Sequence, residues 1–248
     1  MDKGTLRQIL LITDGGSNAG EDPVEVSRWI AQKGLSVNVI GVLNDDQTEH
    51  PPGLKEIEAI AEAGAGVSRL VYARELPETV QMVTQQAITQ TIQGFIQKEV
   101  QAVFGQDEAI ETLSPDTRGE LQVVVEELGE TCEMEVLVLV DTSASMKPKL
   151  EDVKEAIDDL ALSLSSRVGE NALSIYHFPT KKAVIDCLLP WTHELKRVNS
   201  VFPKLTTGGV TPTGDALRRA LEEMNGAKGI KSKQSQGELE DERNARFG

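Results

Sequence analysis

The sequence predicts an α/β fold of the doubly wound kind, a mostly parallel six-stranded sheet with helices on both faces. Three observations carry that expectation. Six short runs of β-branched and aliphatic residues recur along the chain, segments with helical spacing separate them, and two of the runs are apolar on both faces, as strands enclosed between helical layers are. A length of 248 residues with 39% hydrophobic content is enough to fill a core of this type.

Taken in order, the first run, Gln8 to Thr13 (QILLIT), is one of the two apolar on both faces and belongs at the sheet centre. A helix is expected from Pro23 to Lys33, with Pro23 as a first-turn proline behind Glu21 and Asp22, and Gly34 as its stop. A strand over Ser36 to Leu43, a helix over Leu54 to Ala63 and a strand over Ser68 to Ala73 follow. Between the last two, Ala63-Gly64-Ala65-Gly66 resembles half of a dinucleotide loop, but it follows a helix and reads as a helix stop. From Pro77 to Phe104 a stripe of Val80, Val83, Ala87, Ile88, Ile92, Ile96, Val100 and Val103 continues past an ordinary helix length, and a second helix covers Ser114 to Leu128. Residues 77–132 hold ten acids and two bases, a net charge of −8, which usually marks a solvated helix face. Glu135 to Val140 (EVLVLV) is the other central strand. A helix from Lys149 to Ser166, a strand from Ala172 to Phe178 and an alternating strand from Lys182 to Leu189 come next, the last with Lys181 and Lys182 at its opening as suits a guarded edge. A helix over Gly214 to Met224 ends the periodic part, and residues 226–248 read as a disordered tail.

The net charge of −15 argues against nucleic acid or an anionic membrane as the main partner, since both need clustered Lys and Arg, and the only basic cluster is Lys228, Lys231 and Lys233 in the tail. The apolar run near the N-terminus is too short for a signal peptide or a membrane span, so a cytoplasmic protein is the expectation. Cys132 and Cys187 lack the spacing of a zinc site or a disulfide framework. His50, His177 and His193 are isolated, and neither a Ser/His/Asp arrangement nor a GxSxG elbow is present, so an enzyme is not expected.

Three segments carry hard oxygen donors to strand ends. Asp141-Thr142-Ser143-Ala144-Ser145-Met146 follows EVLVLV, at the edge where open α/β sheets hold their ligands. Alone, it also reads as a turn or helix cap. Gly208-Gly209-Val210-Thr211-Pro212-Thr213-Gly214-Asp215 runs into a helix and is either a threonine-bearing loop or a plain helix start; it lacks the GxxxxGK[ST] pattern of a phosphate loop. Asp14 closes QILLIT in Leu11-Ile12-Thr13-Asp14-Gly15 and by itself is an ordinary turn aspartate. Asn44, Asp45 and Asp46 follow another strand end and read as solvated loop acids. Carboxylate and hydroxyl oxygens suit Mg²⁺, Mn²⁺ or Ca²⁺ rather than zinc or copper.

Together the three segments resemble the metal-ion-dependent adhesion site of von Willebrand factor A (vWA) domains, in which a DxSxS motif, a threonine and an aspartate surround one divalent ion. Asp141, Ser143 and Ser145 match the first motif, Thr211 the second and Asp14 the third. Val210 stands where a third glycine is common in the family. The order differs too: the aspartate strand, last in the family, opens this chain. The resemblance therefore implies a Rossmann-like vWA fold that is circularly permuted, with residues 1–76 as its C-terminal half, 133–225 as its N-terminal half and 77–132 as an acidic helical linker joining the original ends. The chain is also similar to vWA proteins of endospore-forming Firmicutes, which implies a sporulation context.

The resemblance implies strand order KKAVIDCL, ALSIYHF, EVLVLV, QILLIT, SVNVIGVL, SRLVYA, with Asp14 and Asp141 on adjacent parallel strands. Cys132 and Cys187 then fall about 10 Å apart, too far for a disulfide. It further implies a bound Mg²⁺ or Mn²⁺ and a partner protein whose acidic side chain fills the open coordination position. The alternatives are a subunit working with an AAA+ ATPase, as in metal chelatases, and a Mg²⁺-dependent phosphoryl-transfer enzyme using Asp141; the second would need an additional acid and a basic group beside it. A monomer is expected, with a swapped dimer as the alternative.

Overall fold

In the computed structural model, which describes residues 4–43, 53–104, 110–195 and 210–226, strands Thr5–Thr13 (β1) and Glu133–Asp141 (β4) pair in parallel at the sheet centre. Their register aligns Ile12 with Val140, so Asp14 and Asp141 leave neighbouring strands at the same edge. Ser36–Leu43 (β2) and Ser68–Tyr72 (β3) extend the sheet beyond β1, while Asn171–Phe178 (β5) and Asp186–Thr192 (β6) extend it beyond β4. The order is β3-β2-β1-β4-β5-β6, parallel throughout except for β6, and it is the order expected from the motifs.

Period-two alternation divides the central strands between two cores. Leu10 and Ile12 of β1 with Val136, Val138 and Val140 of β4 face one side; Ile9, Leu11, Leu137 and Leu139 face the other. The first core is closed by Leu76–Phe104 (α3), Pro115–Thr131 (α4) and Leu150–Ser166 (α5), the second by Pro23–Gln32 (α1), Leu54–Ala63 (α2) and the helix over residues 213–226 (α6). The fold is thus doubly wound, with helices on both faces as expected.

Local chemistry sets the element ends. The Asp22 side chain accepts from the Val24 N–H ahead of Pro23, and Gly34, at φ 78°, supplies the left-handed residue that stops α1. Gly64 ends α2. In α3, Val80, Val83, Ala87, Ile88, Ile92, Ile96 and Val100 are all buried, so the stripe faces the core along most of this 29-residue helix. The helix α4 starts at the Ser114 cap and its last carbonyls are collected by Arg167, which donates to Gly129 and Cys132. Cys132 and Cys187 are both free thiols.

The edge strand departs from expectation. Lys182 to Ile185 are irregular and the strand begins at Asp186, because the Thr180 hydroxyl donates to the Ala183 carbonyl and accepts from the Ala183 N–H, folding that stretch into a turn. The strand then runs through Pro190, tolerated where only one side needs pairing. Among the described residues no helix is long and apolar enough to cross a membrane. Asn44, Asp45, Asp46, His50, Val103's side chain and the tail beyond residue 226, with Lys228, Lys231 and Lys233, lie outside what is described.

Candidate metal centre

The carboxyl ends of β1 and β4 bring four of the five expected residues into one chain of hydrogen bonds. Asp141, 1% exposed, accepts from the Ser143 N–H at 2.7 Å and from the Thr13 hydroxyl at 2.7 Å, one on each carboxylate oxygen. The Ser143 and Ser145 hydroxyls lie 3.3 Å apart, and Ser145 donates to Asp14 Oδ1 at 2.9 Å. The alternating positions 141, 143 and 145 converge because the chain turns directly into a 3-10 turn over Ala144–Lys149, which folds both hydroxyls back over the strand end.

Thr211 arrives by another route. Its N–H donates to Asn18 Oδ1 at 2.7 Å while its carbonyl accepts from the Asn18 N–H at 3.2 Å and from the Ser17 hydroxyl at 3.2 Å. The residue is buried and tied to the loop that starts at Asp14. That loop is further fixed to α6: the Asp215 carboxylate accepts from the Glu21 N–H, Arg218 pairs with Glu21, and Gly20, at φ 82°, lets the backbone pass where any Cβ would meet the Asp215 carboxylate. Glu56 of α2 braces the same loop by accepting from the Ser17 N–H at 2.8 Å.

Sequence reasoning missed Lys149. It stood there as a helix start, yet its side chain turns inward, 4% exposed, and its ammonium donates to Asp14 Oδ2 at 2.7 Å and to the Val42 carbonyl at 3.0 Å. The signal that could have found it is position: a lysine four residues after the second serine, behind Pro148, sits one short turn from the strand edge. Asn18 and Thr13 were also missed; each is an ordinary polar residue until the two loops are placed together.

Electrostatically the cluster is short of positive charge. Asp14 and Asp141 contribute two negative charges and Lys149 one positive, and Lys149 is spent on Asp14. Among the described residues Asp141 has no cationic partner. Burial pushes its carboxyl above the usual carboxylate range, the Ser143 and Thr13 hydrogen bonds pull the other way, and repulsion from Asp14 adds to the rise. A buried carboxylate held by hydrogen bonds alone, beside hydroxyls and a second carboxylate, fits a hard divalent cation. Among the described residues no three His, Cys, Asp or Glu side chains come together as a metal site, so an ion here would draw on the hydroxyls as well as the two carboxylates. The edge is open to solvent on one side, where Ser145 and Val210 are exposed, whereas a cavity of about 690 Å³ lies beside Arg167, Asn171 and His193, at the other end of β5.

His177 stands next to this edge, with Nδ1 3.2 Å from the Thr142 hydroxyl, and burial lowers its pKa. On β5, the Tyr176 hydroxyl donates to Glu223 of α6, and burial together with that carboxylate raises its pKa strongly.

No protein-family model matches the sequence. The chain is 51% identical over 220 residues to the uncharacterized protein YabS of Bacillus subtilis (strain 168), covering 89% of each. The crystal structure of an uncharacterized protein from Alicyclobacillus acidocaldarius subsp. acidocaldarius DSM 446 matches with a TM-score of 0.80 at 36% identity, over 91% of this chain and 97% of that one.

Proposed function

We propose that this chain, which belongs to the YabS family, is a metal-ion-dependent protein-binding module: a circularly permuted vWA domain that captures an acidic side chain of a partner protein through a divalent cation, Mg²⁺ or Mn²⁺, and not an enzyme. One observation carries the reading. Asp141 is buried with hydrogen bonds but, among the described residues, no cationic side chain, within a hydrogen-bonded set that includes Ser143, Ser145 and Asp14.

The residues divide the work. Asp141, Ser143 and Ser145 would hold the ion from one loop, Asp14 from the next strand, and Thr211 from the loop that Asn18 clamps. A bound ion supplies a Lewis-acidic point of attachment for a carboxylate from outside. Without it, Asp14 and Asp141 repel an incoming acid. The open edge, with Ser145 and Val210 exposed, suits a protruding side chain of a protein better than an enclosed small molecule. A subunit acting with an AAA+ ATPase would use the same capture, and only its partner would differ.

Lys149 bears on the phosphoryl-transfer alternative, since it places a basic group near Asp141. Its ammonium is engaged by Asp14 and the Val42 carbonyl, and the groups in hydrogen-bond contact with Asp141 are the Ser143 N–H and the Thr13 hydroxyl rather than an acid. Turnover of p-nitrophenyl phosphate with Mg²⁺ is expected to be absent; Asp141-dependent turnover would establish the enzyme reading instead.

The test of binding is affinity capture with the wild type and Asp141→Ala, each with Mg²⁺ and with EDTA. A protein retained only by wild type with Mg²⁺ supports the reading. Retention of the same proteins in all four conditions contradicts it.

A further inference from the structure

We propose that Lys149 is a specificity-determining residue of this site: its buried ammonium sets the net charge of the metal-loaded centre to +1, so that the outside ligand must be an anion. The proposal rests on the metal-binding reading above. Its observations are the 2.7 Å contact to Asp14 Oδ2, the second bond to the Val42 carbonyl, and side-chain exposures of 4% for Lys149 and 5% for Asp14.

The charge count decides the chemistry. Asp14 and Asp141 contribute −2 and a divalent ion +2, which by themselves cancel; a cancelled site prefers a carboxylate over a neutral amide or carbonyl oxygen only weakly, through the nearness of the ion. Adding the ammonium leaves +1. Because Lys149 is nearly out of solvent, that charge is poorly screened and acts at short range. Its first cost falls on the metal: the ammonium repels the ion and occupies one oxygen of Asp14. Its gain falls on the ligand: the excess charge favours an anion and disfavours a neutral isostere. The fixed geometry matters as well, because the Val42 carbonyl and Asp14 hold two of the three ammonium protons and keep the group from swinging out.

Substitution therefore moves the two affinities in opposite directions, which loss of packing or of folding does not do. The loaded centre carries +2 in Asp14→Asn, +1 in the wild type and in the double variant Asp14→Asn/Lys149→Met, and zero in Lys149→Met. Preference for an anion should follow that order. Mn²⁺ affinity should run the other way, tightest in Lys149→Met, by roughly tenfold or more over wild type, and weakest in Asp14→Asn. The double variant removes both buried charges together and so guards against a single variant that fails to fold.

The experiment uses the full-length chain saturated with Mn²⁺ and reads paramagnetic ¹⁹F relaxation of two probes, trifluoroacetate and trifluoroacetamide, alongside Mn²⁺ affinity from electron paramagnetic resonance. Wild type, the double variant and Lys149→Arg should relax trifluoroacetate several-fold more than the amide, and Lys149→Met should lose most of that preference while binding Mn²⁺ more tightly. Preference unchanged in Lys149→Met, Mn²⁺ affinity lowered by it, or a double variant in which anion preference is lost would each overturn the role of Lys149 while Asp141-dependent Mn²⁺ binding still stands. Mn²⁺ binding that Asp141→Ala leaves intact would overturn the metal reading itself, and the role of Lys149 with it. Should Lys149→Met not fold, the ordering of Asp14→Asn above wild type and the double variant decides the question.

Discussion

The two ends of the central strands each bury an ion pair, and the pairs are not alike. At the amino end, Arg7 of β1 meets Glu135 of β4 at 3.0 Å with side chains 7% and 6% exposed, and Arg7 also donates to the Met224 carbonyl of α6. At the carboxyl end, Lys149 meets Asp14 at 2.7 Å, equally buried. The first pair joins three elements from distant parts of the chain and uses a guanidinium, always charged and geometrically fixed. The second stands beside another carboxylate, two serine hydroxyls and an open face. Both pairs are buried alike; they differ in that the second leaves a neighbouring carboxylate, Asp141, without a cationic partner among the described residues.

The comparison breaks most visibly at the amino end. Replacing Arg7 by Met removes the guanidinium that the buried Glu135 carboxylate and the Met224 carbonyl both accept from, and a loss of about 3–5 kcal/mol is expected, seen as a large fall in denaturation midpoint that Mg²⁺ does not restore. A fall that Mg²⁺ reverses would mean the two ends are coupled. At the carboxyl end the sign differs. Saturating Mg²⁺ or Mn²⁺ should raise wild-type stability, by about 2.7 kcal/mol at a hundred times the dissociation constant, and Asp141→Ala should remain folded while losing the rise in a thermal scan.

Smaller effects sharpen the contrast. The Asn18 side-chain oxygen accepts from the Thr211 N–H and so ties Thr211 to the Asp14 loop; Asn18→Ala removes that bond and should weaken Mn²⁺ binding by about 0.5–1.5 kcal/mol, close to tenfold at most, with little change in stability without metal; calorimetric titration reads it. The carboxyl end also holds a titratable ring where the amino end holds an arginine. Burial keeps the His177 pKa below the ordinary imidazole value. Its unfolded form takes up a proton first as pH falls, so stability should decline on acidification below about 6.5. NMR should place the His177 midpoint below that of a free imidazole, and His177→Gln should flatten the decline.

Most of the fold could be read from the chain because its central strands are unambiguous. QILLIT and EVLVLV are apolar on both faces, which only a sheet covered on both sides accommodates, and the resemblance that Asp14, Asp141 and Thr211 carry implied the order of all six strands. The edge strand was misplaced by a few residues because the Thr180 turn depends on one hydroxyl bond that periodicity does not register. At the candidate centre, Asp141, Ser143 and Ser145 were legible from spacing within one loop. Lys149 was not, since a lysine at a helix start ordinarily points to solvent, and only the placement of Asp14 and the Val42 carbonyl beside it shows where its charge goes.

In the proposed reading a divalent cation depends on Asp141 as its anchor. Isothermal titration of Mn²⁺ into the metal-free chain, wild type beside Asp141→Ala, measures this directly. One ion per chain in the wild type, lost in a variant whose thermal unfolding stays cooperative, is the result expected. An ion bound with unchanged affinity and stoichiometry by Asp141→Ala would contradict it.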